Sequence, residues 1–599
     1  MSIGPAILVL GPSGLATARR IRHELEGALI HGRAGRVGGG EVTFATFAAH
    51  ARGLFAGGTP IIGVCAAGAL IRVLAPVLGD KGAEPPVVAV AEDASAVVPL
   101  LGGHRGGNDL ASAIGAALGV APALTTAGDL RFGVALDAPP AGWRLANPQD
   151  ARPFMAELLA GAGVRIEGNA AWLDESGIPF AEAGDLTIAV TDRVRDGGPT
   201  CLVYHPATLA LGVGCERDAE PGEVRELVGQ TLTDAGLAAG AVSGVFSLDL
   251  KSDEAAIHAL AGELDVPARF FNAPRLEAET PRLANPSETV FRAVGAHGVA
   301  EAAALAAAGP EAELIVAKRK SRRATCAVAR AAAPIDGAAA GRPRGTLTVV
   351  GIGPGAAQWR TPEADAAIAG ADDLVGYRLY LDLLGPLSQG KTRHDFGLGE
   401  EQERVRHAIE CAAQGRRVAV VSSGDAGIYA MATLVFEELE RGDHAQWNRV
   451  AVSVAPGVSA MQAAAARAGA PLGHDFCAIS LSDLLTPWKV IDGRIRAAAE
   501  ADFVIALYNP VSGRRQSQLA RARDIILAHR RSETPVVLAR NLGRDGEHLD
   551  FVTLGELSPE RVDMLTMVIV GSSATRRLDR GAAAWVYTPR GYAGKAGPA

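Results

Sequence analysis

Short continuous apolar runs recur along this chain between segments whose apolar positions fall at helical spacing. Ala6 to Leu10, Ile61 to Val64, Val87 to Val90 and Ala96 to Leu101 are the first such runs, with helical segments opening near Ala16, Ala66 and Asn108. An apolar run bounded by turn residues predicts a strand buried on both faces, so this alternation predicts a small α/β domain over residues 1–135. Residues 136–207 are richer in Pro and Gly, carry one predicted strand at Leu186 to Val190, and form a middle module. A third domain over 208–330 follows from Leu211 to Gly214, a helix from Glu223, Val242 to Leu248, Leu314 to Lys318 and Thr325 to Val328; Asn285-Pro286-Ser287-Glu288 is an N-cap with its first turn. Residues 331–344 are small and punctuated by Pro and Gly, which predicts a flexible linker. A new α/β region spans 345–580 and leaves 581–599 as a tail. The fold class is therefore α/β throughout, with several small domains followed by a larger one.

The most informative stretch lies in that last region. Ser422-Ser423-Gly424-Asp425-Ala426-Gly427-Ile428 follows the apolar run Val418 to Val421, and Ile428 to Leu439 resume helical spacing. A strand, a Gly-Asp loop and a helix start mark the edge at which open α/β sheets bind small molecules, and glycine lets a ligand approach the main chain. The competing assignment for Asp425 is an Asx turn. Gly351-Ile352-Gly353-Pro354-Gly355 is a second strand-to-glycine turn, but Pro354 interrupts it and Thr361-Pro362 sets a later helix start, which disfavours a dinucleotide fingerprint.

Composition narrows the class. The 599 residues are 48% hydrophobic and 21% charged with a net charge of -8, so the chain is globular and lacks the basic excess of a nucleic-acid binder. Cys65, Cys201, Cys215, Cys326, Cys411 and Cys477 include no C-x-x-C pair, which predicts no disulfide framework, no structural zinc site and a reducing cytoplasm. No leader and no membrane span is expected. Leu100 to Asp109 places His104 and Arg105 among four glycines before a helix, an anion-binding arrangement or a turn with two exposed side chains. Lys251, Glu254 and Lys318 are a charged cluster or separate solvated charges.

Taken in order and spacing, Gly351 to Gly355, Gly424-Asp425, Ala455-Pro456-Gly457-Val458-Ser459-Ala460 and Leu507-Tyr508-Asn509-Pro510 resemble the tetrapyrrole methylases over residues 345–580. Gly376-Tyr377-Arg378-Leu379-Tyr380, Ser480 to Trp488, and Tyr508-Asn509-Pro510 with Ser512 to Arg515 resemble the precorrin-3B C17-methyltransferases within that family. The resemblance implies two α/β domains with S-adenosyl-L-methionine in the cleft between them, a tetrapyrrole substrate, methylation coupled to ring contraction, and a homodimer formed through this region. It implies cofactor contacts at Pro354, Gly355, Asp425, Ile428, Ser459, Ala460, Leu507, Ala539 and Ser572. Substrate contacts fall on Arg378, Asp483, Tyr508, Asn509, Arg514, Arg515 and Arg540, with Lys489 a further cation for the carboxylate fringe.

Ile71 to Pro76, Leu100 to Asn108 and Thr125 to Asp129 resemble the N-terminal part of the cobalt-precorrin-5A hydrolases. Leu211 to Cys215, Lys251 with Glu254, Asn285 to Ser287, Glu301 and Lys318 are similar to their C-terminal domain. Lactone opening needs an activated water and an oxyanion partner, roles that His104 and Arg105 can fill as the catalytic pair. Two expectations stay open for this half: a hydrolase that releases acetaldehyde, or a noncatalytic corrinoid-binding module. Whether the substrate carries cobalt also stays open.

Overall fold

Among the described residues the strands form six sheets, most of them built from apolar β-branched runs. The computed structural model describes all residues except 1–3, 26, 80–83, 104–105, 125–130, 443, 513–515, 582 and 593–599. The chain divides into two compact units, Met1–Pro343 and Arg344–Ala599.

The first unit holds three sheets. The strands Val42–Phe44, Leu29–Arg33, Ala6–Val9, Ile61–Val64, Val87–Val90 and Val97–Leu101 lie side by side in that order, parallel except for the last. Ala6–Val9, Ile61–Val64 and Val87–Val90 are buried at every position, as strands covered by helices on both faces must be. Trp143–Leu145, Cys201–Pro206, Leu186–Val190 and Val164–Glu167 form a four-stranded sheet packed on the helix Ala151–Ala160 through Phe154 and Leu158. The middle module thus carries its own four-stranded sheet and core cluster within the first unit, although only Leu186–Val190 was expected as a strand.

Ala268–Phe271, Val242–Leu248, Leu209–Cys215, Ala324–Arg330 and Glu313–Lys320 form the third sheet. The stretch expected as a flexible linker is instead pinned to this sheet. Phe270 and Arg342 exchange two backbone hydrogen bonds of 2.8 Å, the Arg269 guanidinium donates to the carbonyls of Ala340 (2.9 Å) and Gly341 (2.8 Å), and Ile335 N–H donates to Ala207. Gly337 lies so close to the strand that a Cβ there would sit 2.0 Å from the Ser243 oxygen. A segment with no core-forming period is ordered mainly by hydrogen bonds to its backbone, with Ile335 and Ala340 packed beneath, which hydropathy periodicity cannot register.

The second unit opens with a wholly parallel sheet in the order Thr392–Phe396, Asp373–Tyr377, Arg417–Ser422, Thr346–Gly351, Ala451–Ala455. Its strands Arg417–Ser422 and Thr346–Gly351 bury Val418 to Val421 and Val349 to Val350 between helices; each such valine contributes roughly 1.5 kcal/mol or more. Its second sheet is mixed: Phe476–Ser480, Val504–Tyr508, Thr566–Val570, Pro535–Arg540, His548–Thr553. Thr566–Val570 runs antiparallel to both neighbours, so Tyr508 and Arg540 end at the edge where Thr566 begins. A small third sheet pairs Gly469–Ala470 with Ala583–Tyr587 and Arg576–Arg580. Ala583–Tyr587 carries ordered chain into the stretch expected to be a tail.

Candidate active site

Thr346–Gly351, Arg417–Ser422 and Ala451–Ala455 are adjacent parallel strands, so their three following loops leave the same sheet edge. Those loops meet glycine on glycine. Gly353 N–H donates to the Gly424 carbonyl (3.1 Å) and Gly424 N–H returns a bond of 2.8 Å. A Cβ on Gly457 would lie 2.2 Å from the Gly424 oxygen and 2.7 Å from the Gly351 oxygen, so only glycine permits this approach.

Asp425 fastens the assembly. Its Oδ1 accepts from Gly427 N–H (2.8 Å), the Asx turn, and its Oδ2 accepts from Gly457 N–H (3.0 Å) across to the next loop. Ser459 then caps the helix Ala460–Ala468 in a capping box with Gln462. On the other side, Arg544 Nε donates to the Pro354 carbonyl (2.7 Å) and its Nη2 to Ser423 Oγ (3.0 Å). Nothing in the sequence singles out Arg544, because its partners lie 190 and 121 residues away.

These loops wall a cleft of about 230 Å³ whose other wall is the edge of the second sheet, from Tyr508-Asn509, Ala539, Asn541-Leu542 and Met564 to Met567. Three wall residues, Tyr429 (φ 51°), Asn509 (φ 52°) and Asn541 (φ 50°), hold left-handed backbone without being glycine. Such conformations cost free energy and persist where the surroundings over-determine them, a pattern concentrated at ligand sites. Tyr429 is the most unusual; its Oη donates to the Ala478 carbonyl (2.9 Å) and its ring lies 5.0 Å from that of Tyr508. This backbone also delays the helix, which runs Met431–Gly442 and not from Ile428.

Burial pushes the phenols of Tyr380, Tyr429 and Tyr508 up, so all three stay neutral at neutral pH. Ser422 Oγ is buried without a hydrogen-bond partner, and Tyr508 Oη, near the Ser459 hydroxyl and the Met461 amide, makes no bond of good geometry. Of the two, Tyr508 lines the cleft, and an orphaned hydroxyl beside a glycine cradle fits a polar ligand.

Among the expected cofactor contacts, Pro354, Asp425, Ile428, Ser459, Ala460 and Ala539 line this cleft. Gly355 is packed against Gly543 and Arg544, Leu507 is wholly buried in the sheet core, and Ser572 is buried and bonded to Thr575. Of the expected substrate contacts, Tyr508 and Asn509 line it. Arg378 lies in a separate groove with Tyr377 and Asp395, Arg540 is paired with Asp563 (2.7 Å), and Asp483 accepts from Gln518 (2.9 Å). Arg514 and Arg515 lie outside the described residues, as do His104 and Arg105.

In the first unit, Glu254 is not a solvated charge. It is buried, 3.1 Å from Lys251 Nζ, 3.2 Å from Arg217 and accepting from Asp218 N–H. Lys318 joins a different buried group: Glu301 accepts from Asn285 N–H (2.9 Å), Asn285 Nδ2 (2.8 Å) and Lys318 N–H (2.8 Å). Burial opposes ionisation of Glu301, and these donors outweigh it, holding the carboxyl below the usual range.

A glycine cradle at the carboxyl edge of a parallel sheet, faced by a second sheet, is the cleft of an α/β enzyme that handles a small molecule. The family model for tetrapyrrole (corrin/porphyrin) methylases matches residues 346–558, and those for the cobalamin synthesis G N-terminal region and C-terminus match 49–129 and 209–329. A precorrin-3B C(17)-methyltransferase from Sinorhizobium is 49% identical over 251 residues, covering 42% of this chain and 98% of that protein. The cobalamin biosynthesis protein CobIJ of Mycobacterium tuberculosis is 48% identical over 252 residues, 41% of this chain and 48% of that protein. The solved structure of the methyltransferase CobJ is 45% identical over 41% of this chain and the whole of that one, with a TM-score of 0.39. The chain belongs to the tetrapyrrole methylase family, fused behind two cobalamin synthesis G domains. No helix among the described residues is long and apolar enough to cross a membrane.

Proposed function

We propose that the second unit transfers a methyl group from S-adenosyl-L-methionine to C17 of precorrin-3B or its cobalt-bearing counterpart, coupled to ring contraction that gives precorrin-4. The observation that carries this is the cradle of Gly353, Gly424 and Gly457 held by Asp425, in a region 49% identical to a precorrin-3B C(17)-methyltransferase over nearly all of that protein's length. Main-chain groups of the three loops and the wall residues Ile428, Ser459, Ala460 and Ala539 would hold the donor; bound, it supplies an activated methyl on a sulfonium. Asp425 is committed to two backbone amides, so its role is to keep the cradle closed. The neutral phenols of Tyr429 and Tyr508 give the acceptor ring an aromatic wall, and the cleft excludes water while the two reactants are aligned. A dedicated base is not required, because the leaving thioether is neutral.

The first unit, in this proposal, is a hydrolase of the lactone-bearing corrinoid that appears later in the same route, with His104 activating water and Arg105 meeting the oxyanion. Its support is the match of both cobalamin synthesis G models. The protein acts as a homodimer through its second unit in a reducing cytoplasm, in keeping with six free cysteines.

Mass spectrometry tests both halves. Purified protein with S-adenosyl-L-methionine and precorrin-3B or its cobalt lactone should add one methyl; no gain on either removes the methyltransferase proposal. Cobalt-precorrin-5A in a separate tube should lose acetaldehyde, whereas an intact lactone with measurable binding makes the first unit a corrinoid carrier.

A further inference from the structure

The amino edge of the parallel sheet carries a second constellation, remote from the loops of the cleft. Asp373 opens its strand and is almost wholly buried; His394 sits on the neighbouring edge strand, Thr392–Phe396. The helix Glu401–Ala413 crosses this edge and presents His407 and Cys411, four residues apart and so on one face.

The hydrogen bonds run in one direction. The Asp373 carboxylate, also bound by Arg416, accepts a hydrogen bond of 2.8 Å from His394 Nε2–H through Oδ1. That contact fixes the tautomer of His394 and turns the Nδ1 lone pair toward His407 Nε2, 2.9 Å away; Cys411 Sγ lies 3.5 Å from the same Nε2. All three ligand atoms fall within 4.8 Å of one another, and among the described residues this is the one cluster of His, Cys and carboxylate groups so arranged. A carboxylate behind a histidine whose other nitrogen faces two further soft donors is the outer-shell arrangement of protein metal sites.

We propose that His394 Nδ1, His407 Nε2 and Cys411 Sγ bind one thiophilic divalent first-row cation, zinc or cobalt(II), with water in the fourth position. Tetrahedral bonds of about 2.0 Å to nitrogen and 2.3 Å to sulfur require N···N and N···S separations of roughly 3.3 and 3.5 Å. The 2.9 Å between the nitrogens needs an opening of a few tenths of an ångström, the 3.5 Å from His407 to Cys411 already fits, and His394 Nδ1 lies within 4.8 Å of Cys411 Sγ. On binding, the Cys411 S–H bond breaks, the sulfur–metal bond forms and the proton leaves to solvent. His407 gives up its Nε2 proton and carries it on Nδ1. Because binding releases the thiol proton, affinity rises with pH. An approach exists: a surface groove lined by Glu400, Glu403 and Glu410 reaches His407. The ion would clip the edge strand to the helix covering it.

The full chain, stripped with chelator, should bind one equivalent of cobalt(II) with a near-ultraviolet thiolate-to-cobalt band and the visible bands of a tetrahedral ion, both bleached by zinc. Cys411→Ser should lose the ultraviolet band, and Asp373→Asn should weaken binding about 10- to 100-fold. Zinc should raise the melting temperature of the wild type and leave that of Cys411→Ser unchanged. His394→Gln provides the same loss if Cys411→Ser does not fold. A full band in folded Cys411→Ser or His394→Gln, or no band at one equivalent of cobalt in the wild type, overturns the site.

Discussion

Gly457 N–H donates to Asp425 Oδ2 at 3.0 Å, a single bond that joins the second and third loops of the cradle while the other carboxylate oxygen closes its own turn on Gly427. Asp425→Asn keeps the shape but turns an amide NH2 toward one of two N–H donors. One of these donors then loses its acceptor, at a cost of about 1–3 kcal/mol. We expect weaker S-adenosyl-L-methionine binding by calorimetry, roughly ten-fold or more, with Asp425→Ala no better. Unchanged affinity in both variants would show that the cradle holds without this carboxylate.

The two glycines that face each other in this cradle should fail for different reasons. Gly424 has φ 70° and nothing nearer its missing Cβ than 3.9 Å, so Gly424→Ala pays only the left-handed backbone cost, about 1–2 kcal/mol. Gly457→Ala drives a methyl to 2.2 Å from backbone oxygen, which no side-chain rotation relieves. Its melting temperature should fall further than that of Gly424→Ala, and methyl transfer should be lost; equal behaviour of the two would refute the close approach.

Much of this was legible beforehand, and the gaps have physical causes. Val242–Leu248 and Leu186–Val190 are strands at their expected bounds because their large apolar residues fall on both faces and are buried along nearly the whole run. Leu29–Arg33 interrupts its apolar pattern with His31 and Gly32, and Val42–Phe44 is three residues long, so neither carries a period to read. The loops of the cradle could be recognised because each is a local string. Arg544 and the left-handed Tyr429 could not, since one is defined by distant partners and the other by a backbone angle. The pairing of His394 with His407 and Cys411 is hidden likewise: only the sheet edge brings the strand to the helix.

Arg544 spans the first and second loops with two bonds from one guanidinium. Lysine cannot reproduce that fork, so Arg544→Lys should raise KM for S-adenosyl-L-methionine about ten-fold with a smaller effect on kcat. A fall in kcat at constant KM would instead assign Arg544 to the reacting atoms.

His31 sets a pH dependence in the first unit. It is buried, its Nδ1 lies 2.7 Å from His50 Nε2, and burial, followed by the neighbouring His50, lowers its pKa from 6.5 to about 4. The folded pKa is depressed for a base, so the unfolded chain binds the proton first as pH falls. Stability from this group is whole above pH 6.5 and drains away between 6.5 and 4, by about 3 kcal/mol in total. Urea midpoints should drop over that window in the wild type and flatten in His31→Gln; parallel profiles would show that His31 is protonated without loss of packing.

Residues 331–343 supply the last expectation. Flexible small-residue segments are cut readily, but here Arg269 donates to two successive carbonyls and Phe270 pairs with Arg342, so the segment is held as an extra edge of the third sheet. Trypsin, which does not cut the Arg342–Pro343 bond, should therefore spare the next susceptible one, Arg344–Gly345, in the native wild type. Arg269→Ala removes two hydrogen bonds from a charged donor, roughly 1.5–3 kcal/mol each, more than enough to favour local opening over docking. Cleavage after Arg344 should then accelerate at least ten-fold while the melting temperature changes little, because the sheet beneath keeps its own core. Rapid cleavage of the wild type at the same bond would mean that the backbone bonds do not hold the segment in solution.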